Sequence, residues 1–460
     1  MKRGFLTTSK AQKQLEKEPV SWQYAQTKTI MSGPLSHGVV QEAGAPKDYR
    51  SLERAYHEID GNTMNYAPDA YIYTTVPPIS MRDTLADVPG GWTECFVSGH
   101  VKRMIHSTPG FPRLPLRPTG GKGYRIINAG DKGLGMFATR LIRTGDVIAD
   151  ERPMLVGPIV NPVNTAKLSG EIIEKYSTEQ LKQIALHEAG QAVKLAFDRL
   201  PPEYKRAFME LYNSHKEDGS NEFIGRIRTN GFAINGRLRD ENTNGRRGRY
   251  TATCNEISRI NHSCSPNATF SWHDDTFSVR IHAVRDIPAG TEITIQYCDL
   301  LESVAERAND LAPYGITSCN CTPFCSDPAM IKISDERRAR FQIPVVLMPP
   351  SVKPKADEPK DAWVQPALTR LLELEEEGLQ SLDEYRRTLH QLLNIYTYLQ
   401  DVEKVLMYAQ KLRGTLKALG RSKDLDKGYL SVEGIKSSTF WNMADMAKMM
   451  PMSAMMMTFA

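Results

Sequence analysis

The sequence predicts an α+β protein in which a β-rich core of short strands is split by a helical insertion and followed by an α-helical C-terminal region. Three observations carry the expectation. Short β-branched and aromatic runs, with glycine-containing turns between them, occupy residues 124–149 and again 231–295. The stretch between them, residues 177–213, carries helix-start signals instead. Beyond residue 361, apolar residues recur at helical spacing.

In chain order, residues 1–118 mix Pro, Gly and polar residues without sustained periodicity and are expected to be a partly disordered extension, closing on the extended stretch around Pro112, Pro115 and Pro118. The β-rich unit opens at 119–156 with the strand-like runs Tyr124–Ile127 and Val147–Ala149, separated by the glycine turn Lys132-Gly133-Leu134-Gly135. Residues 157–228 form the helical insertion: Ser177 and Gln180 have the spacing of a capping box, and Pro201 and Pro202 stand where a new helix starts. The second half of the unit, 229–300, resumes strand-like runs at Gly231–Ile234, Ala268–Trp272, Phe277–Ile281 and Glu292–Ile295. A cysteine-rich segment at 301–330 follows, then a linker at 331–361 that becomes rich in Lys, Pro and Asp from Val352 onward.

Within 362–437, Leu389, Leu392, Leu393, Tyr396 and Leu399 share their offsets with Val402, Val405, Leu406, Ala409 and Leu412, and Gly420 is placed as a stop. Two helices of matched pattern suit a tetratricopeptide-like antiparallel pair or a plain helical bundle. Residues 438–460 hold eight of the 19 methionines. Asp445, Lys448 and Pro451 argue against a membrane anchor there, leaving a mobile tail or a Met-lined docking helix.

At 460 residues, with 40% hydrophobic and 24% charged residues, the chain has room for two or three soluble domains. Its formal charge of +4 is too small to argue for direct nucleic-acid binding. No run approaches the ~18 apolar residues of a membrane span, and no apolar stretch follows the N-terminal basic residues as a secretory signal requires. Seven cysteines, three of them within Cys319–Cys325, suit metal thiolates in a reducing compartment, so a nuclear or cytoplasmic protein is expected.

Four segments carry the chemistry: Lys132-Gly133-Leu134-Gly135-Met136-Phe137, Asn261-His262-Ser263-Cys264-Ser265-Pro266-Asn267, Gly290-Thr291-Glu292-Ile293-Thr294-Ile295-Gln296-Tyr297, and Tyr314-Gly315-Ile316-Thr317-Ser318-Cys319-Asn320-Cys321. A Gly-x-Gly turn alone is usually an ordinary turn. The Asn-His-Ser-Cys-x-Pro-Asn string is far more specific, because so many polar groups in one run have no evident packing purpose. Together and in this order, across roughly residues 120–330, they resemble a SET domain, and most closely the SET and MYND branch of protein-lysine methyltransferases, although the MYND zinc finger itself is missing from the sequence.

The resemblance implies S-adenosylmethionine as cofactor, held between the glycine turn (Lys132, Gly133, Leu134, Gly135) and Asn261-His262, with Ser258 and Asn230 as further lining residues. For Asn230, helix capping or a turn is an even alternative. Tyr297 resembles the family's active-site tyrosine and Tyr314 the second channel tyrosine. Methyl transfer is an in-line displacement that needs an uncharged amine at ~3–3.5 Å, whereas a lysine of reference pKa ~10.4 is protonated at neutral pH, so the channel must lower that pKa or let the proton escape. Ile316 stands where relatives often carry an aromatic residue, which bears on the channel's shape and on how many methyls are added.

The resemblance also implies a structural Zn2+ on Cys264, Cys319, Cys321 and Cys325, a closed thiolate set. Three residues separate Cys321 from Cys325 where the family has two. Cys298 or Cys254 stands as an alternative ligand, and free buried thiols as the alternative to a metal. The expected partners are a protein substrate presenting a lysine and a further protein at the helical C-terminal region. The competing class is a non-catalytic, zinc-stapled scaffold that binds proteins through its helical tail.

Overall fold

The computed structural model describes residues 35, 37–51, 57–58, 62–80, 82–118, 120–159, 170–234, 238, 250–345 and 359–449. The fold is α+β, as expected. In chain order the strands and helices begin with β1 (His57–Glu58), β2 (Tyr71–Val76), β3 (Thr93–Ser98) and α1 (Gly99–Ser107), then β4 (Tyr124–Asn128), β5 (Leu134–Ala138), β6 (Val147–Glu151) and β7 (Leu155–Pro158). The insertion supplies α2 (Gly170–Lys175), α3 (Thr178–Asp198), α4 (Pro202–Met209) and α5 (Glu222–Asn230). Strands β8 (Phe232–Ile234), β9 (Tyr250–Thr253), β10 (Asn261–His262), β11 (Ala268–His273), β12 (Ser278–Ala283) and β13 (Glu292–Ile295) complete three sheets, ordered β1-β2-β3-β7-β9-β8, β10-β13-β5-β4 and β11-β12-β6.

Residues 71–107 are not the irregular extension expected of 1–118: they supply two strands of the largest sheet and the helix that follows the second of them. The reason lies in burial. All six residues of β3 are buried, and its run Thr-Glu-Cys-Phe-Val-Ser lacks the apolar-polar alternation that marks a half-exposed strand, while β9, which sequence reading also missed, is buried throughout and at four residues is too short to stand out by pattern. The main core runs from Ile72 and Val97 through Met136, Ile148, Ile281 and Ile293. Residues 1–34 lie outside the described residues.

The insertion begins as its sequence predicts. Ser177 and Gln180 form both bonds of the capping box, and Pro202 occupies the first turn of α4, where its missing N–H costs nothing. Its apolar face, with Ala192, Ala196, Phe208 and Ile224, packs on Tyr73, Phe96 and Leu155 of the large sheet. The 331–361 segment departs from the linker expectation at its start, because α6 (Val304–Leu311) and the short α7 (Pro323–Ser326) lead into α8 (Pro328–Phe341). Helix α8 buries Arg338 and Phe341, a pattern hidden by its charged exterior. Residues 346–358 lie outside the described residues.

Helices α9 (Gln365–Glu376), α10 (Asp383–Tyr398) and α11 (Val402–Ala418) follow, then α12 (Val432–Lys436) and α13 (Thr439–Met449). The periodic residues Leu389, Leu392, Leu393, Tyr396, Val405, Ala409 and Leu412 are all buried, and Tyr396 stacks on Tyr408 at 5.5 Å across the α10–α11 pair. Gly420 ends α11 at φ +67, with its N–H on Lys417 O at 3.2 Å and the next N–H, from Arg421, on Leu416 O at 2.7 Å, the double bond pattern of a Schellman cap. These helices share one core with Cys264, Cys298 and Leu300, so the helical region packs directly behind the cysteine segment. No helix among the described residues is long and apolar enough to cross a membrane. The end of the Met-rich segment, residues 450–460, lies outside the described residues.

Candidate functional site

Strand β13 lies between β10 and β5, so the Asn261-His262 segment and the glycine turn flank one strand. β10 runs parallel to β13, pairing Asn261 with Thr294 and His262 with Ile295. Two residues of pairing hold little by themselves, and Asn267 supplies the rest. Buried, it accepts the Thr294 N–H at 2.9 Å and donates to Glu292 O at 2.8 Å, satisfying backbone groups of β13 that the short β10 cannot reach. This brace is a packing reason for the final Asn of the motif.

At the front of this strand trio, Asn261 Nδ2 donates to Leu134 O at 3.1 Å and to Glu292 Oε1 at 2.8 Å, while Lys132 Nζ pairs with Glu292 Oε2 at 3.0 Å. Glu292 was not singled out from the sequence, although it lies in the same motif as Tyr297. A Cβ on Gly135 would come within 2.8 Å of Glu292 Oε1 and 3.0 Å of Asn261 Nδ2, so close approach demands glycine here. Gly133 needs glycine for a different reason, its φ of +76. The result is a polar cradle carrying one ammonium, one carboxylate and one amide at the edge of the sheet.

Tyr297 is pinned from two directions. Its backbone N–H donates to His262 Nδ1 at 3.1 Å, and its hydroxyl donates to Ile260 O at 2.5 Å. Its ring lies 5.5 Å from that of His262 and 4.9 Å from that of Tyr314, so the residues expected to frame one site meet although they come from separate motifs. Burial, then Tyr314 and Glu292, push the Tyr297 phenol above its usual range. It is neutral at physiological pH and does not serve as a base. Tyr314 ends a short 3-10 turn that Gly315 closes at φ +79, and the insertion reaches this turn through Ser214, whose hydroxyl donates to Pro313 O at 2.7 Å.

Asn230 and Ser258 sit one layer back from Asn261. Ser258 Oγ accepts from Cys254 N at 2.9 Å and donates to Asn230 O at 2.9 Å, while Asn230 Nδ2 donates to Tyr212 O at 2.7 Å and Arg226 O at 2.8 Å. Both side chains spend their donors on protein carbonyls, tying the Ser258-to-Asn261 segment to the insertion. Asn230→Ala is expected to destabilise the fold by about 1–2 kcal/mol in urea denaturation, through the carbonyls it leaves unpaired.

Glu151, which the sequence did not mark, holds the same segment from the other side. Its carboxylate accepts N–H bonds from Asn255 at 2.7 Å, Glu256 at 3.1 Å and Ile257 at 2.9 Å, capping the turn that presents Ser258 to Asn261. Burial nevertheless raises its pKa from 4.5 to about 7, against the opposing pull of those N–H groups. A raised acid binds its proton more tightly folded than unfolded. The stability it contributes is therefore complete below about 4.5 and lost as pH climbs through about 7. Measured by thermal melts from about pH 5 to about pH 8, wild type is expected to lose Tm relative to Glu151→Gln as pH rises.

Behind Tyr297 lies the thiol cluster. Cys264 Sγ is 3.8 Å from Cys319 Sγ, Cys319 Sγ is 3.2 Å from Cys321 Sγ, and Cys321 Sγ is 3.7 Å from Cys325 Sγ. Four sulfurs at ~2.3 Å from one Zn2+ lie ~3.8 Å apart along the edges of a tetrahedron, so these three separations suit a thiolate site with a small expansion at Cys319–Cys321, while the set whose ligand atoms all lie within 4.8 Å of one another is His262, Cys264, Cys319 and Cys321. The three-residue spacer is accommodated because Pro323–Ser326 is helical, which turns Cys325 back toward Cys321. The Cys264 N–H donates to Cys321 Sγ at 3.1 Å, and the buried Arg307 guanidinium reaches Cys325 Sγ at 3.9 Å, both favourable to thiolates. The neighbouring thiols, Cys264 first, hold Cys325 well below the usual thiol range and Cys321 at about 7.

His262 also approaches this set, with Nε2 3.3 Å from Cys264 Sγ, and its position makes it a geometric candidate for ligand beside Cys264, Cys319 and Cys321. Its tautomer decides otherwise. Burial lowers its pKa to about 4, so the ring is neutral at physiological pH, and Nδ1 is the acceptor for Tyr297 N–H. The proton then sits on Nε2, which donates to Cys264 sulfur instead of ligating. His262 thus joins the thiol cluster to Tyr297 through its two ring nitrogens. Cys298 lies beside Cys264 as a fifth thiol, whereas Cys254 is buried in the main core.

Comparison with known proteins agrees with this geometry. The histone-lysine N-methyltransferase set5 of Schizosaccharomyces pombe is 31% identical over 219 residues, covering 47% of this chain and 56% of its own length. The N-lysine methyltransferase SMYD2 of Homo sapiens is 26% identical over 288 residues, covering 56% of this chain and 64% of its own. The chain thus matches less than two thirds of the length of these relatives. A solved structure, the SET domain of LSMT bound to lysine and AdoHcy, aligns with 71% of this chain and 88% of that one at 16% identity, with a TM-score of 0.22. The family profile described as SET domain matches residues 133–298, a span that holds Gly133 to Gly135 of the glycine turn, Asn261-His262, Glu292 and Tyr297, so the chain contains a match to the SET domain there.

Proposed function

We propose that this protein is a protein-lysine N-methyltransferase that uses S-adenosylmethionine. The observation that carries the reading is the seating of Tyr297 against His262 and Tyr314, just past the end of β13, the strand whose first residue, Glu292, belongs to the cradle with Lys132 and Asn261. The cofactor supplies an electrophilic methyl group on a sulfonium. Its amino-acid end carries an ammonium and a carboxylate, to which Glu292 and Lys132 are complementary in charge, with Asn261 and the Leu134 backbone beside them.

Tyr297 orients the acceptor amine. A phenol has one proton, and Tyr297 commits its own to the Ile260 carbonyl, so toward any further partner the oxygen can only accept. An amine N–H donated to that oxygen turns the nitrogen lone pair in a fixed direction, which is the orientation an in-line displacement needs. The tilted ring pair of Tyr297 and Tyr314 screens the amine from water, and desolvation favours its neutral form. With the phenol neutral and, among the described residues, no carboxylate hydrogen-bonded to either tyrosine hydroxyl, the amine gives its proton to solvent on entering, before the rings close it off from water.

Calorimetric titration with S-adenosylmethionine, followed by incubation of cell lysate with methyl-labelled cofactor, tests the reading. Saturable binding and label on protein lysines are expected. Absence of binding by folded, zinc-loaded protein would leave the scaffold reading. The proposal places the protein in the nucleus or cytoplasm, acting on a protein lysine and engaging a further protein through its helical C-terminal region.

A further inference from the structure

The stretch from Pro112 to Pro118, between α1 and β4, belongs to no helix or strand. Its prolines, Pro112, Pro115 and Pro118, recur at every third position, which is the period of a polyproline II helix. The same residues constrain the backbone. Each proline fixes its own φ near the polyproline II value and holds the residue before it extended, so Leu114 and Arg117 are restricted together with Pro115 and Pro118. A three-residue period sorts the side chains onto three edges: the prolines on one, Arg113 and Leu116 on the second, Leu114 and Arg117 on the third.

The second edge is tied to the β-rich core. Arg113 N–H donates to Asp275 O at 2.9 Å, its guanidinium pairs with the Asp275 carboxylate at 3.1 Å, and its carbonyl accepts from Arg152 at 2.8 Å. Leu116 N–H donates to the Asp150 carboxylate at 2.7 Å. Phe111 anchors the start, edge-on against His106 and Phe277. These contacts fix the stretch without using the side chains of the other two edges. Leu114 is 54% exposed, Pro112 and Arg117 are exposed, and Pro115 is half-buried. Among the described residues, Arg117 has no hydrogen-bond or ion-pair partner.

We propose that Pro112-Arg113-Leu114-Pro115-Leu116-Arg117 is a docking ligand for a partner domain of the SH3 type, whose groove is lined by aromatic rings and ends on carboxylates. Such a groove reads two edges of a polyproline II ligand and leaves the third free. Here Leu114 and Pro115 fill the aromatic-walled slot, and Arg117 meets the carboxylates two residues further on, while the edge of Arg113 and Leu116 stays on the core. A nucleic acid fits less well, because its phosphates would use Arg117 and leave Leu114 and the proline rings without partners. A backbone already held in place also lowers the entropy lost on docking. The inference goes beyond the proposed reaction. None of its residues belongs to the Lys132–Glu292–Asn261 cradle or to the Tyr297–Tyr314 pair, and its test needs no methyl transfer, so the two readings fail separately.

The probe is a fluorescently labelled SH3 domain selected on Pro-x-x-Pro-x-Arg peptides, titrated by anisotropy with the full chain in zinc-containing buffer. Saturable binding is expected, competed by the free peptide Pro-Arg-Leu-Pro-Leu-Arg. Arg117→Glu should weaken it at least about tenfold, because the reversal sets like charges against each other. Leu114→Ser should weaken it by a similar factor, through the apolar area lost from the slot. Both side chains are exposed, so the melting temperature of each variant should hold. Leu116→Ser, on the edge turned to the core, should change affinity by less than about twofold. The inference is overturned by no binding, by binding unchanged in Arg117→Glu and Leu114→Ser, by an equal loss in Leu116→Ser, or by equal binding of an SH3 domain whose groove aromatics are replaced by alanine.

Discussion

Tyr297→Phe is expected to lower methyl transfer to protein lysines by about 10²–10³-fold, the range seen when one oriented polar group is removed from a reacting centre. The loss should fall on kcat, because the amine still enters between the two rings but no longer finds an acceptor that fixes its lone pair. Affinity for S-adenosylmethionine should stay within about threefold, since Lys132, Asn261 and Glu292 make their contacts without the phenol. The variant also loses the bond to Ile260 O, at a cost of about 1 kcal/mol, so melting curves should shift little. Single-turnover transfer at saturating cofactor is the deciding measurement. An unchanged rate would remove Tyr297 from the role assigned to it.

Cys264→Ser or Cys321→Ser is expected to release the metal and destabilise the protein by about 4 kcal/mol or more, the scale on which losing a bound metal stands apart from ordinary substitutions. Cys264 should be the more sensitive of the two. It accepts from His262 Nε2, and its carbonyl accepts from the buried Arg338, which in turn pairs with Glu377 on the helical region. Its loss therefore loosens the tie to Tyr297 and the seam to the C-terminal helices together. Elemental analysis of purified protein, with thermal melts before and after chelation, checks both parts. Full zinc occupancy in either variant would contradict the ligand assignment.

The strongly patterned parts of the chain were readable because their signals are local. The capping box at Ser177, the proline at α4, the stop at Gly420 and the leucine repeat of α10 and α11 all act within one or two helical turns. The candidate site was readable for another reason: its polar residues stand in compact strings. Glu292 and Glu151 escaped notice because neither has a sequence neighbour that explains it. Each meets its partners only across strands, Glu292 at Asn261 and Lys132, Glu151 at the turn 255–257. Asn230 and Ser258 illustrate the reverse, since their place beside the motifs says nothing of the protein carbonyls that claim their donors.

By itself the sequence determined which residue types are present for chemistry, the α+β class and the helical end, since each follows from spacing along the chain. Tertiary structure alone decided that Tyr71–Val76 and Thr93–Ser98 belong to the largest sheet, that His262 lies between the Tyr297 N–H and the Cys264 sulfur, and that the C-terminal helices share a core with the cysteines. Strand burial on both faces erases alternation, and a tautomer is set by whichever distant backbone N–H arrives at the ring. Such partners are chosen by packing between segments far apart in the chain, and no local pattern records them.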